Sequence, residues 1–179
     1  MTGWLQGRDW DYHPHQLETL EKAQSGKDVL LFAPTGAGKT LSGFLPSIVD
    51  LTNNEYPKHQ LHTLYISPLQ ALAVDVHRNL MQPIDETDMN ISVETRTGDT
   101  PASKRQRQKT KPPQMLMTTP ESLALLMSYE EAPQYFVNLR YIIIDELHAL
   151  MHSKRGDLLS LNLARLSTLT PKATRIGLS

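Results

Sequence analysis

Four side chains in two places have the residue types needed to move a phosphoryl group: Lys39 with Thr40, and Asp145 with Glu146. Lys39 and Thr40 close the stretch VLLFAPTGAGKT over 29–40, where an apolar run too short for a buried helix breaks at Pro34 and Gly36. Gly36 and Gly38 allow positive φ, so Ala33, Pro34, Thr35, Gly36, Ala37 and Gly38 can turn successive N–H groups around one point. The dipole of the following helix favours an anion at the same point. In such a loop the Lys39 ammonium reaches the β- and γ-phosphates of a nucleotide, and the Thr40 hydroxyl holds Mg²⁺. A glycine-rich turn that merely precedes a lysine would need neither a strand before it nor a helix after it.

Asp145 and Glu146 directly follow the apolar run YIII at 141–144. Both carboxylates therefore fall at the C-terminal end of a buried strand, where ligands of open α/β sheets bind. There Asp145 is expected to hold Mg²⁺ through a water, and Glu146 to orient and deprotonate the attacking water. An Asp-Glu pair can also simply complement the dipole at a helix start; behind a phosphate loop the hydrolytic reading takes precedence. His148 and His152, four residues apart, have the spacing of a zinc pair. With no further ligands converging, His148 is expected instead to relay hydrogen bonds from the nucleotide to neighbouring segments.

Strand-like and helix-like stretches alternate from end to end, which implies an α/β domain with a mostly parallel sheet and helices on both faces. Pro14 opens a helix that runs through Gln16 to Ser25 and stops at Gly26. Strands are expected at Val29, at 61–66, 91–95 and 115–117, at 139–144 and at 174–178. The run at 139–144 is almost wholly apolar and so central. Leu69, Leu72, Val76 and Leu80 mark one helix, Pro101 opens a short basic one, and Thr119 caps another with Pro120 and Glu121 in its first turn. Gly156 precedes a helix striped by Leu158, Leu159, Leu161, Leu163, Leu166 and Leu169.

The 179 residues suit one domain with a full core, spanning 1–179. A last strand with no closing helix suggests a fragment of a longer chain. No apolar stretch reaches the length of a membrane span, so no membrane partner is expected and the chain is placed in the cytoplasm. Cysteine is absent, which excludes disulfides and thiolate metal sites. A net charge of −1 excludes a generally basic nucleic-acid-binding body, so such contacts must be local.

APTGAGKT and DELH at 145–148 resemble motifs I and II of superfamily 2 DExH-box helicases, which commonly write Ala where other phosphate loops open with Gly. Other pieces follow in the family's order. HPHQ at 13–16 resembles the glutamine motif, which makes Gln16 the reader of adenine. SPLQAL at 67–72 resembles motif Ia, with Gln70 where lysine is common. RTGDT at 96–100 and TTPESL at 118–123 resemble motifs Ib and Ic, and GLS at 177–179 resembles the start of motif III. The stretches PLQALAVDVHRNLMQPI and KRGDLLSLNLARL are similar to the large helicase-related (Lhr) group and its ligase-associated branch, which are DNA repair motors.

The resemblance implies a RecA-like P-loop NTPase domain, the first of two in an ATP-dependent DNA helicase or translocase. ATP and Mg²⁺ are the implied cofactors. Single-stranded DNA, with RNA possible, a second RecA-like domain and DNA repair proteins are the implied partners. The second domain would bring arginines that stabilise charge on the γ-phosphate, so these 179 residues alone are expected to bind nucleotide without useful turnover. The strand is placed on Pro68, Leu69 and Gln70, on Thr97 and Gly98, and on Thr118, Thr119, Pro120 and Glu121, where amides at helix starts suit phosphate oxygens. The basic run 104–111, with no aromatic interleaved, reads as a solvated helix face. Trp10 and Tyr12 offer an aromatic for stacking on adenine or a plain anchor. The rival reading is a nucleotide-dependent switch that grips nucleic acid or protein without translocating.

Overall fold

A strand that is apolar on both faces must be covered on both, so the central runs of this sequence require helices above and below a sheet. The computed structural model describes residues 13–34, 37–53, 56–69, 73, 76, 80 and 90–179. Trp10, Tyr12, Thr35, Gly36, Gln70 and Leu72 lie outside the described residues. The strands are β1 (Val29–Leu31), β2 (Thr63–Ile66), β3 (Val93–Arg96), β4 (Met115–Thr118), β5 (Tyr141–Ile144) and β6 (Thr174–Leu178). The helices are α1 (Pro14–Gln24), α2 (Lys39–Asn53), α3 (Ala102–Thr110), α4 (Pro120–Met127), α5 (Ala132–Phe136), α6 (Leu147–Leu150) and α7 (Lys154–Leu169). The sheet has the order β1-β6-β5-β2-β4-β3, and every pairing is parallel.

Side chains alternate between two cores with the period of two that a strand imposes. Tyr65, Met117, Ile143 and Ile176 pack with Phe44, Ile48 and Leu51 of α2, with Ala23 of α1, and with Ala73, Val76 and Leu80. Leu64, Leu116, Ile142 and Ile144 pack on the opposite face with Leu123 of α4, Phe136 of α5, and Leu159 and Leu166 of α7. Each such buried aliphatic or aromatic side chain contributes about 1.5–3 kcal/mol of burial free energy. The fully buried strands β2 and β5 lie at the centre, as the apolar run at 139–144 requires. At one edge, β1 has a single neighbour among the described residues, and there Leu30 and Phe32 are 53% and 69% exposed.

Two local readings are corrected. Helix α7 starts before Gly156, because the Ser153 hydroxyl accepts the Gly156 N–H at 3.1 Å and caps the first turn. Gly156 sits inside that turn, where a Cβ would lie 2.0 Å from the Leu150 carbonyl oxygen. Along α7 the buried positions are Leu159, Asn162 and Leu166, the i, i+3, i+7 spacing of one helix face, which leaves Leu161 off the stripe and 62% exposed. The Asn162 amide donates to the Leu158 carbonyl at 2.9 Å, so its burial leaves that donor satisfied.

Behind the sheet's other end, His62 is buried beside the rings of Tyr56 and Tyr141. Its Nδ1 meets Thr63 Oγ1 at 2.9 Å, while Nε2 has no hydrogen-bond partner and stands 3.9 Å from Asp50. Burial, opposed in part by the Asp50 charge, pushes the His62 pKa down to about 4. The unfolded chain takes up this proton near pH 6.5, whereas the folded chain does so only near 4. Stability should therefore hold above pH 6.5 and fall progressively towards pH 4, by as much as ~3 kcal/mol. Urea midpoints measured across this range should slope less in His62→Gln than in the wild type; equal slopes would assign the acid sensitivity to other groups.

Candidate functional site

Parallel pairing brings the C-terminal ends of all six strands to one edge of the sheet, and the sequence-predicted site residues follow those ends. After β1 comes the loop from Ala33 to Gly38. Gly38 has φ +70°, in the left-handed region that glycine adopts without strain. A Cβ on it would also lie 2.8 Å from the Gln16 amide nitrogen. Gln16 is buried against the loop, and its Oε1 accepts the His13 N–H at 3.0 Å, closing the start of α1. His15 Nε2 lies 3.0 Å from the Ala37 carbonyl oxygen, a second tie between α1 and the loop. Lys39 and Thr40 open α2, half-buried, and Lys39 Nζ donates to the Ala33 carbonyl at 2.6 Å.

After β5, Asp145 is buried and its carboxylate is held on both oxygens. Tyr65 Oη donates to Oδ2 at 2.7 Å, and the Glu146 N–H donates to Oδ1 at 2.8 Å. Burial and the neighbouring Asp145 charge push the Tyr65 phenol far above its ordinary pKa, so it stays protonated and a donor. Glu146 itself takes left-handed backbone angles, φ 50° and ψ 43°, an arrangement uncommon for a residue with a side chain. Its Oε2 lies 3.2 Å from His148 Nε2, and His148 Nδ1 lies 3.1 Å from Ser179 Oγ. A carboxylate only accepts, so Nε2 is the nitrogen that carries a proton towards Glu146.

Ser179 follows β6, the strand between β1 and β5. Its N–H donates to the Leu31 carbonyl at 3.0 Å, and its carbonyl accepts the Ala33 N–H at 3.3 Å. A continuous polar path thus runs from Glu146 through His148 and Ser179 to the first residue of the glycine-rich loop. Among the described residues no group of three or more His, Cys, Asp or Glu gathers as a metal cluster.

The second half of the edge belongs to β2, β4 and β3. After β2, Pro68 is buried and Leu69 is 55% exposed, while Ser67 Oγ donates to the Leu69 carbonyl at 3.2 Å. After β3, Thr97 is buried with its N–H on Thr100 Oγ1 at 2.9 Å, and Gly98 is exposed. After β4, Thr118 donates to the Arg96 carbonyl at 2.8 Å, and Thr119 caps α4 by accepting the Ser122 N–H at 3.4 Å. Pro120 is buried. Exposed Glu121 is gripped by Arg155 of α7, Nε to Oε1 at 2.5 Å and Nη2 to Oε2 at 2.9 Å, and this pairing holds its pKa below the usual carboxylate range. The hydroxyls of Thr118 and Thr119 are therefore engaged inside the protein, and an oxyanion at this edge would meet main-chain groups and loop tips first.

The basic helix α3 differs from a freely solvated face. Arg107 donates to Glu94 at 2.7 Å, Lys104 stands 4.0 Å from the same carboxylate, and Lys109 Nζ sits 3.6 Å from the centre of the Tyr129 ring. Fully buried Arg96 donates to the Arg105 carbonyl at 2.9 Å and to Tyr129 Oη at 3.3 Å, tying α3 beneath the loop at 97–100. His15, Arg96 and Ser179 fall inside the motif-like stretches at 13–16, 96–100 and 177–179 without a role of their own in the sequence reading, whereas Tyr65 lies in none of them. Its place two residues before SPLQAL is the one signal that could have flagged it.

The sequence model described as DEAD/DEAH box helicase matches residues 13–179. The ATP-dependent helicase Lhr-Core of Methanocaldococcus jannaschii is 40% identical, over 98% of this chain and 22% of that protein. The Lhr helicase/uracil glycosylase of Escherichia coli is 41% identical, over 92% of this chain and 12% of that protein. The solved structure of Mycobacterium smegmatis helicase Lhr bound to ssDNA and AMP-PNP superposes with a TM-score of 0.86 at 39% identity, over 99% of this chain and 24% of that one. The chain thus spans a quarter or less of the length of these relatives.

Gly38→Ala should destabilise the chain by about 1–2 kcal/mol, because alanine must adopt the left-handed conformation and displace the Gln16 amide. Urea denaturation of both proteins measures this; an unchanged midpoint would mean that the loop relaxes freely.

Proposed function

We propose, because the chain belongs to the DEAD/DEAH box helicase family, that it is the ATP-binding first motor domain of an ATP-dependent DNA helicase or translocase active in DNA repair. The observation that carries this reading is the division of one sheet edge. Lys39, Asp145 and Glu146 stand at the β1-β6-β5 half, and the loops after β2, β4 and β3 form the other half. A nucleotide on the first half and a strand on the second would share one rigid sheet. The M. smegmatis helicase Lhr, solved with ssDNA and AMP-PNP, supports both ligands for this fold. A second motor domain, supplied by a longer chain, completes the proposal. The cytoplasm is its setting, and among the described residues no helix is long and apolar enough to cross a membrane.

The donor set fits Mg²⁺, a hard cation that takes carboxylate and hydroxyl oxygens and keeps several waters. Asp145 and Thr40 would hold it, and each Asp145 oxygen keeps a further lone pair beyond its one hydrogen bond. When bound, the ion supplies charge neutralisation to the phosphates. Lys39 would exchange its bond to Ala33 for the β- and γ-phosphate oxygens, as a point charge. Glu146 would take the proton of the attacking water, with His148 orienting its carboxylate through Nε2. Movement of charge at Glu146 or the loop would be felt at Ser179, the residue hydrogen-bonded to both sides.

Two measurements test the reading. Titration with a fluorescent ATP analogue should show at least a tenfold loss of affinity in Lys39→Ala with the melting temperature unchanged within about 2 °C, because Lys39, half-buried at the start of α2, belongs to neither core cluster. Equal affinity would remove the loop from nucleotide binding. In a chain extended to include a second motor domain, Glu146→Gln should keep nucleotide bound and lose hydrolysis by about 10²-fold or more. Hydrolysis retained in Glu146→Gln would reject Glu146 as the base, and turnover that DNA leaves unchanged would favour the switch over the translocase.

A further inference from the structure

We infer that Tyr65 is a positioning residue for Asp145, holding the carboxylate in the orientation needed beside the phosphate loop; the inference rests on the nucleotide-site reading above. Asp145 is 4% exposed and has one hydrogen bond to each oxygen: Tyr65 Oη on Oδ2 at 2.7 Å, and its own next N–H on Oδ1 at 2.8 Å. Its main chain is fixed separately, by the Asp145 N–H on the Ile66 carbonyl at 2.9 Å. The backbone donor constrains one oxygen, and the phenol alone constrains the other. Without it the carboxylate plane could rotate and a buried charge would lack a donor.

The Tyr65 hydroxyl also interacts with Ser67, but the group it donates to is Asp145. The Tyr65 ring is fully buried and stacks on Phe44 of α2 at a centroid distance of 5.1 Å, a contact a phenylalanine would also make. The hydroxyl therefore serves Asp145. The ring also links two parts of the site, since Phe44 lies on the helix that Lys39 and Thr40 open. Tyr65 thus holds Asp145 in register with the helix bearing Thr40, the two residues placed to share Mg²⁺. Such a role follows from strand order: β2 is the hydrogen-bonded neighbour of β5, and Tyr65 pairs with Ile143 on the face towards which Asp145 also points.

The test is Tyr65→Phe, read by binding of fluorescent ADP to this chain over a series of Mg²⁺ concentrations and in EDTA. The half-saturating Mg²⁺ concentration should rise roughly tenfold, the scale of one hydrogen bond to a charged group, while affinity in EDTA stays within about twofold. In an Asp145→Asn background, adding Tyr65→Phe should give no further shift. Leu166→Val, in the core on the other face of the sheet, serves as the control for general loosening of the core: it leaves both the hydroxyl and the Phe44 stack in place and should keep the wild-type Mg²⁺ dependence even where it melts earlier. An unchanged Mg²⁺ dependence in Tyr65→Phe, or an equal shift in Leu166→Val, would reduce Tyr65 to a core residue and overturn the inference. Failure of the wild type to bind nucleotide at any Mg²⁺ concentration would instead overturn the site reading, and the inference with it.

Discussion

Parallel pairing of all six strands is the constraint on which the rest of the structure depends. A chain that always runs the same way through its sheet must return over a face each time, which puts helices on both faces and sends every strand exit to one edge. Chemistry can then be assembled from residues far apart in sequence without any long loop. Lys39, Asp145 and Ser179 come from three different exits, and β6 between β1 and β5 gives Ser179 hydrogen bonds to the loop on one side and to His148 on the other. The same edge extends to the loops after β2, β4 and β3, so the proposed nucleotide and strand sites stand on one continuously hydrogen-bonded sheet.

Three buried polar side chains show how differently the interior treats charge. Asp145 is a buried acid with a donor on each oxygen, placed where a cation is proposed to bind. Arg96 is a buried base whose guanidinium finds the Arg105 carbonyl, Gln108 and the Tyr129 hydroxyl while its Nε finds nothing. It faces no carboxylate in these contacts; Glu94 is bound to Arg107 and Gln108 instead. His62 resolves the same problem by staying neutral. Desolvation is the common cost, met by donors, by acceptors or by giving up the charge.

Most of the fold was legible because its cues are local. The alternation of short apolar runs with amphipathic stretches announced a parallel α/β sheet, and the length and purity of the run at 139–144 announced its centre. The loop proposed to hold phosphate rests on equally local cues: its glycines, Lys39 and Thr40 are contiguous. What escaped reading was set by tertiary contact. Nothing in the composition of β2 marks Tyr65 as the partner of an acid 80 residues away, and the backbone angles of Glu146 answer to the sharp turn between β5 and α6. The leucine count misled along α7, because a helix buries positions by angle and not by residue type, and Asn162 occupies the inward position that Leu161 does not. The basic run carries no sign of its partners, because Glu94 lies on β3 and Tyr129 in the turn after α4.

The outer side of β1 has a consequence for handling the protein. Among the described residues no second strand pairs with β1, where Leu30 and Phe32 are 53% and 69% exposed, and an unpaired strand flank is a template on which another strand can pair. The loop proposed to hold phosphate follows directly from that strand. Self-association through β1 would therefore bury the approach to Lys39, and concentrated solutions of the chain would lose nucleotide-competent molecules to oligomers before they lost any fold.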